Sequence, residues 1–143
     1  MNNIISSPQF WGILVSAIVA LWTFNKTKEK EREAEWRKEK LKLYLNFVEA
    51  LSGITDSEIS DEGEMNFAKS CNDLHALAPH AVLKALHKYQ EQIRVSNPNP
   101  SVELKQTTLN KLIYEMRKDL KIKPSDNESQ FEMILWSSGK RKN

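Results

Sequence analysis

The 143 residues carry 21 Lys and Arg against 19 Asp and Glu, a formal net charge of +2, and one cysteine. A single cysteine excludes an intramolecular disulfide, and the small basic excess, concentrated after the first apolar stretch and in the tail rather than spread over a face, suits anionic lipid headgroups better than a nucleic-acid groove. The length allows one domain with a modest core beside a membrane anchor, and no specific nucleic acid is expected as a partner.

The first element is an apolar stretch over residues 4–24 with no Asp, Glu, Lys, Arg or His. A helix of about 20 residues crosses the hydrocarbon layer once, so this stretch is read as a transmembrane helix. Ser7 and Pro8 form a cap and first-position pair that starts it, and Trp11 and Trp22 fall near its two ends, where indole rings favour headgroups. A cleaved signal peptide is disfavoured because the leading residues are uncharged and no small-residue cleavage site follows. Lys26, Lys28, Lys30, Arg32 and further basic residues come directly after the stretch, while none precedes it. The positive-inside bias then predicts an N-terminus outside and a C-terminal part in the cytoplasm of a bacterial inner membrane.

Gly12, Ser16 and Ala20 recur every fourth residue, a small-residue ridge of the kind that lets two helices approach in lipid, so a homo-oligomer is expected. Gln9, Ser16 and Thr23 lie on the same face and are the candidate pore lining should the oligomer enclose a channel. Lys26, Lys28 and Lys30 are candidate contacts to anionic headgroups, with Lys140, Arg141 and Lys142 of the basic tail.

From Asn25 to Leu51 the chain has no Gly or Pro and is rich in Lys, Glu and Ala, which predicts that the helix continues as a charged cytosolic stalk. Apolar residues become regular at Leu41, Tyr44, Val48 and Leu51, flanked by Leu45 and Phe47, and Gly53 provides a stop. The acidic stretch that follows is read as a loop leading into a helix with Phe67, Cys71, Leu74 and Ala78 on one face. Pro79 interrupts it, and Val82, Leu86, Tyr89 and Ile93 mark the next helix. Two prolines and two asparagines in residues 96–100 make a loop, after which Ser101 caps a helix holding Leu109, Leu112, Ile113, Met116 and Leu120. Ser125 or Asp126 is predicted to cap a last short helix with Phe131, Ile134, Leu135 and Trp136.

The expected fold is all-α, with one N-terminal transmembrane helix continuing into a cytosolic stalk and an antiparallel bundle of about four helices. Its divisions are an anchor at 1–25, a stalk at 26–40, a bundle at 41–136 and a basic tail at 137–143.

Motifs for chemistry are sparse. Cys71 and His75 are one turn apart, with His80 and His87 further along, but a zinc site needs three or four closing ligands, so no metal and no cofactor are expected. No arginine has a histidine at the spacing used by a helical ribonuclease, which leaves a degenerate nuclease or metal protein as the last-ranked alternative and no enzyme as the expectation. Arg117, Lys118 and Asp119 are the candidate partner or inter-helix contacts, with Glu49 as a candidate mate for Arg117.

Tyr44 with Phe47, and the run Met116, Arg117, Lys118, Asp119 and Leu120, sit in a layout that resembles a loose family of small uncharacterised bacterial and phage-associated single-span membrane proteins. The resemblance implies a similar fold and a place among defence or mobile-element genes. The leading functional expectation is a membrane-anchored interaction and oligomerisation protein, an effector or accessory of an anti-phage system with an unknown protein partner. The alternative is an oligomeric pore-forming effector.

Overall fold

The computed structural model describes residues 8–54, 60–122 and 127–135, with side chains from Trp11 onward. Four helices follow one another among them: α1, Pro8–Gly53; α2, Asp61–Leu77; α3, His80–Ile93; and α4, Val102–Asp119. The fold is all-α and the helices build a bundle. Two compact units divide the chain, the first ending at Lys38 and the second beginning at Glu39.

In the first unit α1 starts at Pro8, as its fixed φ favours. The transmembrane helix predicted over residues 4–24 is not shown: among the described residues no helix is long and apolar enough to cross a membrane. At 1.5 Å per residue, Pro8 to Phe24 extends about 25 Å, short of a hydrocarbon layer of roughly 30 Å, and Lys26 follows at once. Residues 4–7, where that stretch begins, lie outside the described residues, as do Trp136 and the tail with Lys140, Arg141 and Lys142.

The second unit has a single core. Tyr44, Phe47 and Leu51 come from α1, Cys71 and Leu74 from α2, Val82, Ala85, Leu86 and Tyr89 from α3, and Leu109, Leu112, Ile113, Met116 and Leu120 from α4. The stripes read from α2, α3 and α4 are therefore the buried faces, with Phe67, Ala78 and Ile93 partly buried at their ends. On α1 the face is rotated from the expected one. Leu41 and Leu45 are exposed, Val48 is only partly buried, and Phe47 is wholly enclosed, its ring 5.7 Å from that of Phe67.

The acidic stretch read as loop is helical from Asp61 onward. The Ser60 hydroxyl accepts from the Gly63 backbone N–H at 3.1 Å, and Asp61, Glu62 and Glu64 fill the first turn, where the helix dipole favours negative charge. Gly63 is there for closeness: a Cβ on it would lie 3.1 Å from the Gly53 carbonyl oxygen, so the end of α1 and the start of α2 nearly touch. Pro79 ends α2 and leads into α3, and the Ser101 hydroxyl accepts from Leu104 N–H at 3.2 Å at the start of α4. The far end of α4 closes with Ile122 N–H bonded to Arg117 C=O and Lys121 N–H to Lys118 C=O, the paired pattern of a Schellman cap. Lys121 holds the left-handed position there, at φ 54°.

The predicted last helix is replaced by a short 3₁₀ turn, Glu128–Gln130, and an extended segment. Phe131, Met133 and Leu135 are partly buried while Glu132 and Ile134 are exposed. That alternation is the period of extended chain, and it follows from a run too short to pay back helix nucleation, preceded by the Asn127 cap of a single turn. Ser125 and Asp126 lie outside the described residues.

Candidate functional site

Five features of the described residues carry chemistry or recognition. In the first unit, Trp11, Ile13, Leu14, Val15, Ile18, Val19, Leu21, Trp22 and Phe24 are all exposed. Successive residues turn by about 100°, so these nine side chains spread over about 240° of the circumference, and Gly12, Ser16, Ala20 and Thr23 occupy the remaining sector. Gly12, Ser16 and Ala20 are exposed within it, and a Cβ added at Gly12 would meet nothing within 4 Å. The Ser16 hydroxyl donates to the Gly12 carbonyl at 2.8 Å and the Thr27 hydroxyl to the Thr23 carbonyl at 2.9 Å. Ser16 thus donates its hydroxyl hydrogen within its own helix, as Ser52 and Thr107 do in the second unit. The side chain of Gln9, the third candidate pore residue, is outside the described set.

The basic cluster next to this surface is less cationic than its count suggests. Lys26 pairs with Glu29 and Lys28 with Glu31, each at 2.9 Å and one helical turn apart. Those bonds raise both lysine pKa values above the ordinary value, through the hydrogen bond first and the carboxylate charge second. Lys30 is exposed.

In the second unit, the anionic member of the Arg117, Lys118 and Asp119 trio is the one that joins helices. Asp119 Oδ1 accepts from Lys40 Nζ at 2.8 Å, and Oδ2 accepts from the Tyr44 hydroxyl at 2.7 Å. The Lys40 and Asp119 side chains are only 17 % and 16 % exposed. Burial, and then the neighbouring carboxylate, push the Tyr44 phenol far above its ordinary pKa, so it stays a donor. Arg117 instead stands over the Phe131 ring, its guanidinium carbon 5.4 Å from the centroid, and Lys118 is exposed, as is Glu49. The sequence signal for Lys40 was available in its place one turn before Tyr44, but the charge hid it among the stalk lysines.

The extended C-terminal segment is clamped to α4. Met133 N–H donates to Asn110 Oδ1 at 3.0 Å, and Gln106 Nε2 donates to Met133 C=O at 2.6 Å. Lys111 bridges the buried Glu115 at 2.9 Å and Glu128 at 2.6 Å. Burial pulls the Lys111 ammonium down, but the two carboxylates outweigh it and its pKa is raised. A cleft of about 760 Å³ opens beside this strap, lined by Tyr89, Val102, Leu109, Met133 and Leu135 among others.

The histidines behave differently from the sequence pairing. The Cys71 thiol is buried and pushed up in pKa by that burial, and it is the Cys71 carbonyl that His75 Nδ1 meets, at 2.8 Å. His75 Nε2 lies 2.8 Å from His87 Nε2, between α2 and α3, and both histidines are exposed. A carbonyl can only accept, so His75 Nδ1 carries the proton; in the neutral pair His87 Nε2–H then donates to His75 Nε2. Among the described residues no group of three or more His, Cys, Asp or Glu is placed to hold a metal ion.

Burial also pushes the Tyr89 phenol up to about 12, with a smaller contribution from Cys71. An unfolded tyrosine ionises near pH 10, so the unfolded chain loses its proton first as pH rises. Stability from this group is complete below about pH 10 and is lost as pH climbs through about 12. Denaturation midpoints measured from pH 8 to 11.5 should fall above about pH 10, and less steeply in Tyr89→Phe.

No protein-family model, curated protein or solved structure matches this chain.

Proposed function

We propose that the chain is a membrane-anchored helical interaction protein that self-associates through the apolar part of α1 and carries its bundle at the inner face of a bacterial cytoplasmic membrane. The observation that carries this reading is the broad exposed apolar surface from Trp11 to Phe24, which leaves only a sector of small residues uncovered by large side chains. Soluble monomers rarely leave so large a continuous apolar patch to water. Small residues at Gly12, Ser16 and Ala20 supply the contact in lipid, where packing drives association. The resemblance of layout adds the expectation of a role as effector or accessory in anti-phage defence.

The test is flotation of the full chain with liposomes, joined to its detergent-corrected molar mass by light scattering in wild type and Gly12→Leu. Because the space around Gly12 is open within one chain, a larger side chain there has no internal contact to disturb. The expected result is a floating, defined oligomer that falls to monomer in the variant. A monomer in both would overturn the small-residue contact, and a chain that stays soluble without detergent and does not float would overturn the anchor.

A further inference from the structure

The His75 and His87 pair answers to nothing in the proposed anchoring function. It joins two helices, lies open to solvent and has the His75 tautomer set by a backbone carbonyl. In metalloproteins a ligating imidazole commonly gives its second N–H to a backbone carbonyl, which sets the tautomer and aims the free lone pair. His75 has that arrangement: Nδ1–H to the Cys71 carbonyl at 2.8 Å, and Nε2 free of a proton and aimed at His87.

We propose that His75 and His87 form a two-imidazole site for a first-row divalent transition-metal ion of the Ni²⁺ or Cu²⁺ kind, with water in the remaining positions. Two nitrogens bound at about 2.0–2.1 Å on adjacent corners of a square or octahedron sit about 2.9 Å apart, whereas tetrahedral corners need about 3.4 Å. The observed separation of 2.8 Å, now spanned by an N–H···N hydrogen bond, is close to the first of these spacings. With centroids 5.1 Å apart and planes at 28°, the rings now meet nearly head-on. Binding tilts the two exposed rings so that both Nε2 lone pairs converge on one ion, and the proton on His87 Nε2 moves to its Nδ1 through water. The neutral pair therefore releases no proton when the ion binds. With two protein ligands the ion keeps open positions, unlike a closed structural zinc site. It also staples α2 to α3.

The experiment uses the untagged full chain in detergent, titrated with NiCl₂ by calorimetry at pH 7.5 and followed by thermal melting. Expected are one ion per chain, a melting midpoint that rises with Ni²⁺, and at least tenfold weaker binding in His75→Ala or in His87→Ala with the helical signal retained. His80→Ala should bind as wild type. With Cu²⁺ the electron paramagnetic resonance of wild type alone should show two nitrogen donors, a readout independent of whether the variants fold. Equal affinity in wild type and the His75→Ala/His87→Ala double variant, or a copper spectrum without two nitrogens, would overturn the site.

Discussion

Phe47→Ala is expected to lower the stability of the second unit by about 3–5 kcal/mol, the range for removing a buried aromatic ring without refilling its space. Phe47 is fully enclosed, stands against Phe67 and lies between Tyr44 and Leu51 on the only face that α1 contributes to the core. Domains of this size are stable by roughly 5–15 kcal/mol in total, so the variant should approach the folding threshold. Urea denaturation followed by the helical signal and by Trp-independent tyrosine fluorescence checks it. The controls are Leu41→Ala and Leu45→Ala, both at exposed positions and each expected within about 0.5 kcal/mol of wild type. A loss at Leu41 equal to that at Phe47 would mean that the helix buries the face expected from periodicity and not the one described.

Asp119→Ala should be the most damaging polar substitution, at about 2–3 kcal/mol, because it strands an ammonium and a phenol that are both mostly out of water. The carboxylate divides its two oxygens between Lys40 and Tyr44, so its removal takes both bonds at once. Tyr44→Phe removes one charged hydrogen bond and keeps the ring's packing, for a loss of about 1.5 kcal/mol. A double-mutant cycle between Tyr44→Phe and Asp119→Asn should return a coupling of about 0.5–3 kcal/mol. Additivity within about 0.3 kcal/mol would show that the contact contributes nothing to stability.

The bundle was legible in the sequence wherever one apolar face repeats at helical spacing and a cap or breaker bounds it. Val82, Leu86 and Tyr89 on α3, and Leu109 through Leu120 on α4, needed nothing else, and Pro79 and Ser101 set the ends. Phe47 was read as a flank of the α1 stripe because Leu41 and Leu45 are as apolar as their buried neighbours; only the other helices decide which face is covered. The C-terminal segment misled because Phe131, Ile134 and Leu135 also fit a helical period. Its true pattern is set by Gln106 and Asn110, residues that sequence cannot connect to it. The histidine pair was hidden for a similar reason: His75 and His87 lie on two helices, and the helical turn joining Cys71 to His75 drew attention to a thiol that faces elsewhere.

The amide clamp on Met133 has a consequence for how the strap can vary. In extended chain one residue's N–H and C=O point to the same side, so Met133 offers both to α4 at once, and Asn110 and Gln106, one turn apart, take one each. The strap is thereby indexed by a single residue. Lengthening the chain by one residue between Phe131 and Met133 would put either the ring or the clamp on the wrong side, since neighbouring side chains alternate. Changes of two residues preserve parity. Length variation in this segment is therefore quantised in pairs, whereas side-chain changes at the exposed Glu132 and Ile134 leave the indexing untouched.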